Sequence, residues 1–179
     1  MSFRLGIILA AALLTASCGF RPLYAPSGTG SASEQLFAFD VFRKIEIGLI
    51  EDREGQFFRN KMIELLHPSG RARVVEYDLN TKLNESKANL AVRQSSDATR
   101  ANLTMTAVYT LISRTDGTIV ARGTVKSTSG YNIFNSEFQT LSAEKSARER
   151  ALIDLAQQLR LRLATEFIRG DAESQSPQK

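Results

Sequence analysis

Cys18 is the one cysteine in a chain of 179 residues, and its neighbours point to a specific chemistry for it. Arg4 supplies positive charge, Leu5 to Leu14 form an apolar stretch, and Thr15-Ala16-Ser17 are small, which are the three parts of a secretory signal. Ten residues at 1.5 Å each reach about 15 Å, half of the roughly 30 Å of bilayer hydrocarbon, so this stretch reads as a processed signal and not a spanning helix. Cleavage before Cys18 would place a thiol and a free amine on one residue, the arrangement that bacterial lipoproteins fill with diacylglycerol on sulfur and a third acyl chain on nitrogen. Leu commonly stands three residues before such a cysteine; Thr15 stands there in this chain, with Leu14 one place earlier. At about 0.8 kcal/mol per buried CH₂, three chains make attachment effectively permanent. Gly19 favours sorting to the outer membrane, so the expected location is its periplasmic side, in the inner leaflet, with the acyl groups on Cys18 as the only non-protein component.

Elsewhere the inventory for catalysis is thin. His67 is the only histidine and falls at the end of an expected helix, where a capping or surface role is expected. No cluster of His, Cys and Asp has metal-ligand spacing, and Gly28 and Gly30 belong to a small-polar segment, not to a phosphate loop after a strand. Asp97 and Glu85 are expected in a loop between strands with nothing to make them a pair. The chain therefore reads as a non-enzyme without a metal. Its formal charge of +4 suits anionic lipid or glycolipid better than nucleic acid. A single cysteine leaves no internal disulfide, so packing alone must stabilise the fold.

The elements that would position these residues follow from periodicity. Residues 1–17 are the signal, 18–39 a lipidated N-terminus and flexible tether containing the small-polar run Pro26–Gln35, 40–169 a single α+β domain, and 170–179 a disordered polar tail. Ile45, Ile47 and Leu49 alternate with polar residues as a first strand. Asp52 is the expected cap of a helix carrying Phe58, Met62, Leu65 and Leu66 on one face and ending at Pro68-Ser69-Gly70. Val75 to Leu83 and Leu103 to Leu111 alternate cleanly, and Asp116-Gly117 predicts a hairpin into a strand with Ile119, Ala121, Gly123 and Val125 facing inward. A closing helix from about Ser142 to Ile168 places Leu152, Leu155, Leu159, Leu163 and Phe167 on one side. About four strands and two amphipathic helices on one sheet face make an α+β sandwich. The opposite face would carry Thr104, Thr106, Val108, Thr110 and Ile112, then Arg122, Thr124, Lys126 and Thr128. That is either a plain solvated surface or one suited to phosphorylated sugars or the polar inner wall of a β-barrel.

Several segments, in order, resemble the lipopolysaccharide-assembly lipoproteins of Gram-negative bacteria in their alphaproteobacterial form. They are Cys18-Gly19-Phe20-Arg21-Pro22-Leu23-Tyr24, Asp52-Arg53-Glu54-Gly55-Gln56 with Arg59-Asn60, Ala98-Thr99-Arg100 before Ala107-Val108-Tyr109, and Ser129-Gly130-Tyr131-Asn132 with Ser136 and Phe138. Gln139 follows Phe138 where Ala is usual. The resemblance implies a tethered plug that lodges in a large outer-membrane β-barrel, the lipopolysaccharide translocon, helps it assemble, and binds lipopolysaccharide. In that setting Arg93, Arg100, Arg122 and Lys126 are the expected contacts to the anionic head, since 122 and 126 share parity and lie about 13 Å apart on one strand face. The competing function is an auxiliary lipoprotein of a periplasmic lipid-transport complex.

Overall fold

A computed structural model describes residues 40–70, 74–89 and 99–174. The signal, Cys18, the tether, Arg93, Asp97 and the last five residues lie outside the described residues.

Period-two alternation builds four strands, β1 (Ile45–Ile47), β2 (Tyr77–Asn89), β3 (Thr99–Ser113) and β4 (Ile119–Ile133), in the order β1-β2-β3-β4. β1 runs parallel to β2 over Tyr77–Leu79 only, while β2, β3 and β4 form long antiparallel ladders. Helix α1 (Asp52–Leu66) makes the crossover between β1 and β2, and helix α2 (Glu137–Ser174) closes the described chain. Both pack on one face of the sheet, α2 across β3 and β4, α1 beside α2 and against β1. The mixed four-stranded α+β architecture is the expected one.

The odd-numbered residues of β3, Ala101 to Leu111, are all buried, as are Ala121, Val125, Ser127 and Tyr131 on β4. From α2, Leu152, Leu155, Leu159, Leu163 and Phe167 meet them, with Ala147, Ala151 and Ala156 bringing the helix close. Each large side chain so buried contributes roughly 1.5–3 kcal/mol. Two residues not anticipated from the sequence, Val41 and Phe42, join this core ahead of β1. Phe167 stands edge-on to Phe42 and Tyr77, with ring centroids 6.4 and 5.2 Å apart.

The differences from expectation cluster where the chain turns. β1 stops at Ile47, and Leu49, expected on its buried face, is 90% exposed. Gly48 N–H still donates to the Leu79 carbonyl, but the chain then leaves the sheet so that Ile50 turns inward. Gly55 accommodates that turn, since a Cβ there would lie 2.8 Å from the Ile50 carbonyl oxygen. The N-cap of α1 is Glu51, without a side-chain cap bond, and Asp52 is the first helical residue with φ 68°, a left-handed value that Asp tolerates better than most residues. Asp52 therefore serves the helix as first-turn negative charge and not as its cap. His67 holds the C-cap position of α1, in keeping with a capping role, but it is buried and not at the surface: its Nε2–H donates to the Ile45 carbonyl at 3.0 Å and ties the end of α1 to β1.

At the hairpin Gly117 takes φ 71° as expected, but Val120 is an extra residue in β4, because Leu111 faces Ala121 and Ile112 faces Ile119. The bulge leaves Ile119 55% exposed, not inward. Glu85 belongs to β2 and not to a loop. Helix α2 begins five residues before the expected Ser142, where Thr140 Oγ1 accepts the Phe134 N–H, and it continues through Gly170 to Ser174.

Candidate functional site

Strand parity that buries the odd residues must expose the even ones, and among the described residues no helix packs on that second face. The ladders align its side chains in rows: Asn80–Thr110–Arg122, Lys82–Val108–Thr124, Asn84–Thr106–Lys126, Ser86–Thr104–Thr128, Ala88–Asn102–Gly130 and Arg100–Asn132. Hydroxyls and amides dominate, and Val108 at the centre is 45% exposed. Thr104 and Thr128 hydrogen-bond each other across the ladder at 2.9 Å.

Across these rows the charged positions are Lys82, Arg100, Arg122 and Lys126, with no acidic residue among them. The outward carboxylates sit at the β1 end, and both are engaged: Arg114 grips Asp78 through two hydrogen bonds of 2.9 and 2.6 Å, and Arg59 stands 3.9 Å from Glu46. None of the described ion pairs draws on Lys82, Arg100, Arg122 or Lys126. All four are exposed. An open sheet face bearing exposed cations and hydroxyl rows can hold a multiply charged anion by charge-assisted hydrogen bonds without a deep pocket.

Arg122 and Lys126 come together as expected, about 13 Å apart along β4. Lys82 completes a triangle with them: its row lies between theirs on a strand two places away, putting it about 12 Å from each by strand spacing. It was not singled out from the sequence, although its even parity in β2 was the available signal. Arg100 shares the face but not the cluster, since its row is six residues beyond that of Lys126, about 20 Å. Arg93 falls outside the described residues.

The covered side of the sheet uses charge differently. Arg148 of α2 donates to both oxygens of Glu85, at 2.5 and 3.0 Å, and to Glu144 at 2.6 Å, while Lys87 donates to Glu144 at 2.6 Å. The Arg148 hydrogen bond holds the Glu85 carboxyl below its ordinary range, and the Lys87 hydrogen bond does the same to Glu144. Ser127, buried on β4, donates to Asp154 of α2 at 2.6 Å. These charges are spent on clamping α2 to the sheet. Among the described residues no group of three His, Cys, Asp or Glu could hold a metal, and no helix is long and apolar enough to cross a membrane.

Residues 42–163 match the model of the family LptE, described as lipopolysaccharide-assembly. No curated protein sequence matches the chain. Among solved structures, a candidate lipoprotein from Caulobacter crescentus CB15 is similar with a TM-score of 0.57 at 21% identity, covering 73% of this chain and 96% of that one. Rare lipoprotein B from Shewanella oneidensis is similar with a TM-score of 0.52 at 7% identity, covering 71% and 98%. A minor lipoprotein from Acinetobacter baumannii is similar at 0.50 and 16%, covering 70% and 94%. At such identities these three speak for a shared fold.

Proposed function

This chain belongs to the lipopolysaccharide-assembly family LptE, and on that premise we propose that it is a non-enzymatic lipoprotein, anchored in the outer membrane through acyl chains on Cys18, that partners a large β-barrel in delivering lipopolysaccharide to the cell surface. The observation that carries this reading is the uncovered sheet face with Lys82, Arg122 and Lys126 in a triangle and no acidic residue between them. Its dimensions suit a diphosphorylated disaccharide, whose phosphates lie on the order of the 12–13 Å that separates the three cations at strand spacing. The hydroxyl rows supply donors to sugar oxygens and are equally compatible with the polar lumen of a barrel. Covalent acylation accounts for membrane attachment in a chain whose described helices do not cross a bilayer.

Purification of the full-length, lipidated chain from outer membranes tests the partnership. A large β-barrel is expected to co-purify in a fixed ratio, and intact-mass analysis is expected to show the acyl chains on Cys18. Recovery with a periplasmic complex and no barrel would overturn the reading in favour of a lipid-transport accessory.

A further inference from the structure

The edge of the sheet beside α1 is half finished. β1 covers β2 only over Tyr77–Leu79, whereas β2 continues for ten more residues to Asn89. Because the Leu79 carbonyl accepts the Gly48 N–H on that edge, the odd residues of β2 point their backbone groups toward β1, and the even ones toward β3. Past Leu79 the N–H and C=O groups of Thr81, Leu83, Glu85 and Lys87 therefore face outward, and among the described residues no strand pairs with them.

Natural sheets guard such an edge by keeping it short, bulging it, inserting proline or pointing charges along it. β2 is 13 residues long with neither bulge nor proline, and the odd-position charges that could guard it, Glu85 and Lys87, are drawn under the sheet to Arg148 and Glu144. In front of this edge lies a groove of about 550 Å³ between β2 and the start of α1. Its apolar lining comes from buried Ile50 and Met105, half-buried Leu83, and Leu49, which stands 90% exposed. Thr81 adds a buried hydroxyl without a hydrogen-bond partner in the described structure. Glu51, Asp52 and Glu54 line the groove from the α1 side, Glu54 standing 3.9 Å from Arg148, and Lys82 and Glu85 line it from β2, which leaves an excess of carboxylates.

We infer that this groove takes an extended segment of a partner polypeptide, which adds as a strand to the free edge of β2 and carries Lys or Arg against the wall of Glu51, Asp52 and Glu54. The four outward positions from Thr81 to Lys87 span about 20 Å, enough for a strand of roughly six residues. Main-chain hydrogen bonds supply the affinity, and alternate side chains the selectivity: apolar ones onto Leu83 and Met105, basic ones onto the carboxylates. A second copy of this chain is a poor occupant, because pairing two such edges would bring two acidic walls together. The inference goes beyond the lipopolysaccharide reading and shares only Lys82 with it, since Lys82 lines the groove as well as the open face, while the carboxylates and the free backbone groups belong to the edge alone.

The test uses the full mature chain and an acetylated octapeptide of alternating Val and Lys. Addition of the peptide is expected to slow amide exchange at Thr81, Leu83, Glu85 and Lys87 by about tenfold or more, leaving Lys82 and Asn84, already bonded to β3, unchanged. N-methylating the peptide at one alternate set of residues is expected to abolish binding, and at the other set to spare it. Glu51→Gln with Asp52→Asn, both at exposed positions, is expected to weaken binding several-fold at low salt while lowering the melting temperature by no more than a few degrees through the lost first-turn charge of α1. No binding at millimolar peptide, equal binding of the two methylated series, or odd amides already protected in the free chain would each overturn the inference.

Discussion

The two faces of one sheet come from the same three strands and differ by a single step in sequence. On the odd face Leu103, Met105, Ala107, Tyr109 and Leu111 are essentially inaccessible beneath α2, and Glu85, Glu144 and Arg148 beside them are paired with one another. On the even face Thr104, Thr106, Val108 and Thr110 lie under no helix among the described residues, and Lys82, Arg122 and Lys126 have no partner among the described ion pairs. Burial makes charge costly unless it is matched, so the covered face converts its ions into clamps. The open face pays no such penalty, and its unmatched cations remain available to a ligand. Substitutions on the two sides should accordingly separate stability from binding.

The sharpest separation comes from Leu159→Asp. Leu159 is fully buried in the middle of α2, and an unpaired carboxylate there costs several kcal/mol, comparable to the whole stability of a domain this size. The purified variant is expected to lack a cooperative thermal transition. A melt within a few degrees of wild type would place the core elsewhere.

A smaller loss is expected from Gly55→Ala. Its new Cβ would approach the Ile50 backbone to 2.8 Å, and moving that turn costs about 1–3 kcal/mol by the usual penalty for overpacking. Chemical denaturation should register it as a lower midpoint with an unchanged slope. An unchanged midpoint would mean that the loop before α1 adapts freely.

Acid titration probes the clamps. Glu85 and Glu144 bind protons less tightly in the folded chain than the ordinary value of 4.5, so their contribution is present above that pH and is lost as pH falls through and below it. Wild type is expected to lose stability steadily below about pH 5, whereas Glu85→Gln with Glu144→Gln, weaker at pH 7, should lose less over the same range. Parallel acid curves for the two proteins would remove the clamp from the account.

Most of this arrangement was legible in the sequence. Alternation in β2, β3 and β4 and the Leu152–Phe167 stripe placed the sheet, the helices and the covered face correctly, because a two-residue period and a 3.6-residue period leave little freedom once one side must be dry. The failures were local. Leu49 and Ile119 continued an apolar alternation that the chain broke for reasons lodged in neighbours, the approach of Ile50 to Gly55 and the extra Val120 opposite β3. Glu85 looked like loop because polar residues fill the outer half of β2, yet it pairs with Met105 and is held by Arg148. Lys82 was overlooked since a lysine in a strand is unremarkable until register sets it between the rows of Arg122 and Lys126. The free edge of β2 had no signature, because where β1 ends depends on tertiary packing around Gly48.

Charge reversal on the open face should have the smallest effect on stability and the largest on function. The decisive measurement is the affinity of the full chain for lipopolysaccharide at low and high salt, for wild type and for Arg122→Glu with Lys126→Glu, with melting temperatures recorded alongside. The double variant is predicted to melt within a degree or two of wild type and to bind at least about tenfold more weakly at low salt, with the gap closing as salt screens the cations. Adding Lys82→Glu should deepen the loss, and Arg100→Glu alone, about 20 Å away along the strand, should matter least. Wild-type affinity in the double variant at low salt would contradict the account and return the basic face to the role of a solvated surface.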